Sequence, residues 1–193
     1  MHNFKIHHTL HRNDTTVVSF SSEILEKVQQ IILRYPQGKE KSALIPILHI
    51  AQEELGGWLS PAVMNYVADL LKIQPIEVYE VATFYTQFYT QETGKYVIEV
   101  CQTASCAICG GEEIIEHLEK KLSIKNGETT SDGLFTLKAV ECLGGCGYAP
   151  VMQVNTEFHE HLTIPKIDNI IDNLKNSKNL EKSKESKWVE KFF

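Results

Sequence analysis

The chain has 193 residues, 42% hydrophobic and 23% charged, with 19 Lys and Arg against 25 Asp and Glu for a formal charge of −6. This acidity argues against the polyanion affinity of most nucleic-acid binders, and Lys, Gln or Glu interrupt every apolar run before it reaches the length of a membrane span. The amino-terminal MHNFKIHHTLHRNDTT lacks the apolar stretch and cleavage site of an export signal, so the five cysteines, an odd number, point to metal or thiol chemistry in a reducing compartment.

Residues 1–21 read as a flexible arm whose His2, His7, His8 and His11 are solvated. Residues 22–94 contain no cysteine and read as a four-helix bundle. In EILEKVQQIILR, Ile24, Val28, Ile31 and Ile32 form one stripe of a helix starting near Ser22. SALIPILHIAQEELGG gives a second helix with Leu44, Ile47, Leu48, Ile50 and Ala51 on a broad apolar face. Ser42 is its expected cap, Pro46 falls in its first turn, and Gly56-Gly57 supplies a left-handed stop. Ser60-Pro61 opens a third helix. A fourth is expected from Pro75 through IEVYEVATFYTQFY, with Gly94 ending the region. Tyr79, Phe84, Tyr85, Phe88 and Tyr89 crowd that helix; most are expected in the core, and the surplus at a subunit contact.

Residues 95–175 carry all the cysteines. KYVIEVC is a strand ending on Cys101, GGEEIIEHLEKKL an amphipathic helix, and LFTLKAVEC a strand ending on Cys142. Such a βαβ unit crosses over right-handed and gives parallel neighbours. APVMQVN and EFHEHLT then form a hairpin, with His159 and His161 alternating on one strand face as packing residues, and PKIDNIIDNLK closes the domain as a helix. The order is thioredoxin-like with a mixed sheet, within the α+β to α/β range. It puts both cysteine groups at the carboxyl ends of adjacent parallel strands, where open sheets place ligands.

Three chemistries compete for the thiols. Structural zinc favours two C-x2-C knuckles, whereas Cys101 and Cys106 are spaced C-x4-C and Cys142 and Cys146 C-x3-C. A thioredoxin-type dithiol would use Cys106 and Cys109 and leave three cysteines unexplained. A [2Fe-2S] cluster needs two thiolates per iron, which Cys101 with Cys106 and Cys142 with Cys146 supply. The plant-type C-x4-C-x2-C spacing, which would enlist Cys109, fits poorly because a helix follows Cys109 directly and the later pair has its own glycine-rich loop. Cys109 is left as a small apolar side chain. Gly110, Gly111, Gly144, Gly145 and Gly147 would let backbone amides approach the anionic cluster, and Pro150 would fix the exit of the second loop.

VCQTASCAICGG, ECLGGCGYAPVMQVN, IAQEELGGWLS and VYEVATFYTQF together resemble the 24 kDa (E) subunit family of bacterial-type NADH-quinone oxidoreductase, respiratory complex I. The resemblance covers about residues 22–175. It implies a thioredoxin-like [2Fe-2S] ferredoxin domain behind the helical module, with ligands matching Cys101, Cys106, Cys142 and Cys146. It also implies electron exchange with FMN on the NADH-binding F subunit, contact with other peripheral-arm subunits, and a place on the cytoplasmic side of the inner membrane. The isolated chain is expected to have no complete activity and no catalytic residue. Small subunits of NAD-reducing hydrogenases and NAD-dependent formate dehydrogenases are similar alternatives. The segment 176–193, where Lys178, Lys182, Lys184, Lys187 and Lys191 outnumber Glu181, Glu185 and Glu190, departs from the family pattern. It reads as a polar tail whose apolar end, Trp188 to Phe193, could dock on a neighbouring subunit.

Overall fold

The computed structural model describes residues 18–176; the histidines of the amino-terminal arm and the polar tail lie outside the described residues. The chain divides into two compact units, one ending at Gln91 and the other beginning at Glu92. Among the described residues no helix is long and apolar enough to cross a membrane.

The first unit contains helices α1 (Ser22–Ile32), α2 (Leu44–Glu54), α3 (Pro61–Leu71) and α4 (Pro75–Phe84). Local chemistry sets their ends. Ser21 Oγ accepts the Ile24 amide at 3.3 Å and Ser60 Oγ accepts that of Val63 at 3.2 Å, each satisfying an orphan donor of a first turn. The expected cap at Ser42 is not made. Glu40–Ala43 instead forms a 3₁₀ turn running straight into α2, which starts without a side-chain cap. The buried Val28, Ile31, Ile47, Leu48, Val63, Val67 and Val78 form the core of this unit.

Helix α4 is shorter than its sequence pattern suggests, stopping at Phe84 before an extended Tyr85. The next residues are used elsewhere: Tyr89 donates its amide to Gln52 Oε1 at 2.7 Å, and its carbonyl accepts the Leu59 amide at 2.7 Å. These bonds replace the helical ladder. They also correct the expected burial of the aromatics, since only Phe88 and Tyr89 are buried, Tyr79 is half-buried, and Phe84 and Tyr85 are exposed.

The second unit is a four-stranded mixed sheet, order β2-β1-β3-β4, of β1 (Tyr96–Cys101), β2 (Phe135–Val140), β3 (Met152–Val154) and β4 (Glu157–His159). β1 runs parallel to β2, with Cys101 opposite Val140, while β3 and β4 form the expected antiparallel hairpin. Ile98 and Val100 of β1 pack with Leu137 of β2 and Met152 of β3. On this apolar core lie Ile114 and Leu118 of α6 (Gly111–Leu122) and Ile167 and Ile171 of α7 (Ile164–Asn176). Alternation along the strands turns Glu99 and Lys138 to the other face, directly opposite each other. Gly94 has a use beyond ending the helical region: a Cβ there would meet the backbone of Phe135 at 2.9 Å, so only glycine admits this approach to β2.

Three further local expectations are corrected. β2 ends at Val140, two residues short of Cys142. His161 lies beyond β4 with φ 44°, so it does not alternate with His159 on one strand. An additional helix, α5 (Ala104–Ile108), falls between β1 and α6.

Candidate metal centre

The two cysteine groups meet at the carboxyl ends of the parallel strands. Cys101 is the last residue of β1 and Cys106 lies within α5, and both are buried together with Val151. The Cys101 amide donates to the Val151 carbonyl at 3.2 Å, and the Gln102 amide to that of Val140 at 3.0 Å, so the sheet itself fixes the first group. Cys142 and Cys146 belong to an exposed loop held by a 3₁₀ turn, Cys146–Tyr148, and by the His161 amide on the Tyr148 carbonyl at 2.8 Å. The Ala149-Pro150 bond leading out of the loop is cis.

The Cys142 and Cys146 sulfurs are 3.7 Å apart. A tetrahedral thiolate centre with metal–sulfur bonds of about 2.3 Å has a sulfur–sulfur edge of about 3.8 Å, so this pair is already spaced to share one metal ion. Among the described residues no three His, Cys, Asp or Glu side chains converge as ligands of a single ion. The thiols meet as pairs, an arrangement suited to two metals with two thiolates each.

The electrostatics differ between the pairs. Burial pushes the Cys101 thiol up, but the Thr103 hydroxyl, the Thr103 and Leu143 amides and Cys106 outweigh it and leave Cys101 below its ordinary value. Cys106 is raised by burial and by the charges of Cys101 and Cys146, against a bond from the Val151 backbone. Cys146 is raised by its contact with Cys142, with Ser105 opposing and the charge of Cys101 adding to the rise. The mutual influence of Cys101, Cys106 and Cys146 reflects the proximity of the two pairs at this end of the sheet. Negative charge gathered there is met by amides, including that of Gly144 at 3.3 Å from Cys142 Sγ.

The glycines have distinct roles. A Cβ on Gly111 would lie 2.8 Å from the Cys106 carbonyl oxygen and 3.0 Å from that of Cys101, so this residue lets α6 start directly beneath the site. A Cβ on Gly145 would meet the Phe158 ring at 2.8 Å, whereas at Gly147 it would meet no protein atom within 4 Å. Cys109 caps the carboxyl end of α5 and is exposed while Cys106 is buried. A helix-activated dithiol of Cys106 and Cys109 would need them together at a helix amino terminus, which is not their arrangement. Thr103, whose hydroxyl reaches Cys101, was missed by sequence reasoning. Its only signal was a Thr two residues after a candidate ligand.

The family model for the thioredoxin-like [2Fe-2S] ferredoxin matches residues 28–175. The chain belongs to this family. Within the thioredoxin-like [2Fe-2S] ferredoxins it is 45% identical over 161 residues to the E subunit of the NADH-quinone oxidoreductase of Rickettsia conorii, covering 83% of this chain and 96% of that one. It is 44% identical over 166 residues to the mitochondrial NADH dehydrogenase [ubiquinone] flavoprotein 2 of Dictyostelium discoideum, covering 86% of this chain and 67% of that one. The fold also matches the crystal structure of an NAD+-reducing [NiFe]-hydrogenase in the air-oxidized state, with a TM-score of 0.62 and 21% identity over 76% of this chain. This chain spans a quarter of that one, 25% of its length, and the likeness establishes the thioredoxin-like fold alone. The relatives are subunits of an oxidoreductase, and the family's cofactor is one [2Fe-2S] cluster. The paired thiols and the amides around them fit that group.

Proposed function

We propose that this chain is the electron-transfer subunit of an NADH-quinone oxidoreductase, with Cys101 and Cys106 holding one iron of a [2Fe-2S] cluster and Cys142 and Cys146 the other. The observation that carries the reading is the meeting of two thiol pairs at the ends of parallel strands, one pair already at the 3.7 Å edge of a tetrahedral centre. When bound, the cluster supplies one-electron storage. The chain does the rest: β1 and α5 shield one thiol pair from water, the glycine loop presents the other to solvent, and the Thr103, Leu143 and Gly144 amides offset the charge.

The electron partner in this reading is FMN on an NADH-binding F subunit, within a peripheral arm on the cytoplasmic side of the membrane. The 45% identity to the Rickettsia conorii relative, across nearly all of that protein's length, supports this parentage. Residues 22–94, read as a four-helix bundle, form a separate module from the cluster domain of residues 95–175. Alone, the chain completes no reaction.

Serine substitution tests the ligand set. Anaerobically purified chain is expected to be brown, with two irons and two sulfides and absorption bleached by dithionite. Cys109→Ser retains this signature, whereas serine at Cys101, Cys106, Cys142 or Cys146 abolishes it or shifts its spectrum. Loss of colour in Cys109→Ser, with Cys142 or Cys146 dispensable, overturns the assignment.

A further inference from the structure

A threonine at the start of a helix ordinarily turns its hydroxyl oxygen toward an amide of the first turn. Thr103 occupies the cap of α5 with extended backbone, yet its side chain makes no capping bond. Its Oγ1 lies 3.3 Å from Cys101 Sγ instead. A metal-bound thiolate has no proton to give, so in that contact the hydroxyl must be the donor.

We propose that Thr103 is a positioning residue for electron transfer, its hydroxyl donating to the Cys101 sulfur and thereby raising the reduction potential of the cluster. The inference rests on the ligand reading above. Reduction places one more negative charge on the cluster and its sulfur ligands. A donor aimed at one of those sulfurs binds the reduced form more strongly than the oxidised form. No bond at Thr103 is made or broken, and the proton stays on Oγ1 throughout. The amides of Thr103 and Leu143 also face this sulfur, but only the hydroxyl can be removed by changing a side chain. Because it caps nothing, its loss leaves α5 its backbone bonds.

The test uses the full chain reconstituted anaerobically with ferrous iron and sulfide, as wild type, Thr103→Val, Thr103→Ala and Thr103→Ser. Iron and sulfide content reports on the ligand set. The midpoint potential, from a dithionite titration with mediators followed by electron paramagnetic resonance, reports on Thr103. All four proteins are expected to hold two irons and two sulfides. In Thr103→Val and Thr103→Ala the equilibrium constant for one-electron uptake is expected to fall about tenfold, which is 59 mV for a one-electron couple. Thr103→Ser, which keeps the donor, is expected to stay near wild type. An unchanged potential in the two donorless variants overturns the proposal, as does a Thr103→Ser potential as low as theirs. Cluster loss in both, with retention in Thr103→Ser, overturns it in favour of a structural role. Failure of the wild type to take up a cluster instead overturns the ligand reading, and this inference with it.

Discussion

Gly111 sits where two carbonyl oxygens leave no space for a side chain, at 2.8 and 3.0 Å from a Cβ. They belong to Cys106 and Cys101 themselves, so neither can yield without moving those two thiols. Gly111→Ala is expected to cost about 1–3 kcal/mol, the usual range for overpacking, measured as a lowered urea midpoint. Gly147→Ala, which meets no protein atom within 4 Å, should lie within about 0.5 kcal/mol of wild type. The sequence suggests one reason for both glycines, close approach to a cluster, and the structure separates them. Gly111 is required by the protein's own backbone, a fact visible only once α6 is placed under β1 and α5. Thr103 escaped notice for a similar reason: the direction of a hydroxyl depends on the conformation around it and leaves no periodic trace. The cysteines were legible because their spacing does not depend on conformation.

The long helices could be read because their apolar stripes repeat over three turns, and α6 and α7 appear where those stripes place them. The five-residue α5 is too short to show a stripe. The sequence pattern overstates α4, because its aromatic and β-branched residues continue past Phe84 while the backbone leaves to bond Gln52 and Leu59. No local signal announces such a distant partner. Contact between α6 and α7 includes His117 Nε2 at 2.8 Å from Asp168 Oδ1 and Lys121 Nζ at 2.9 Å from the same oxygen. These neighbours hold the Asp168 carboxyl below its usual value. A depressed carboxylate stabilises the fold above its unfolded pKa and loses that contribution as pH falls through the folded one. Asp168→Asn is therefore expected to be less stable than wild type at pH 7, with the gap closing as pH falls below about 4. Thermal unfolding across that range checks it, and a gap that widened in acid would contradict the linkage.

Across the whole chain the βαβ rule carried the most weight, because a right-handed crossover brings residues 101 and 142 to one end of one sheet before any distance is known. The pairing of β1 with β2 bears this out. The difference in exposure between the thiol pairs has no sequence signal, since it follows from Cys101 and Cys106 standing on β1 and the short α5 while Cys142 and Cys146 stand in an exposed loop. On the proposed ligand set, alkylation of native, cluster-loaded chain followed by mass spectrometry should mark one cysteine, Cys109. After chelation and denaturation it should mark all five. Marking of Cys142 or Cys146 in the loaded chain would contradict their role. The two loops that meet here are separated in sequence by all of α6 and β2. A cluster held by both therefore acts as a covalent staple, closing a loop of about 40 residues in the unfolded chain. Loop-closure arithmetic puts such a restraint at about 4 kcal/mol. That is comparable to much of the net stability of a small domain, so losing the metal would loosen the cluster-bearing unit as well as remove its electron.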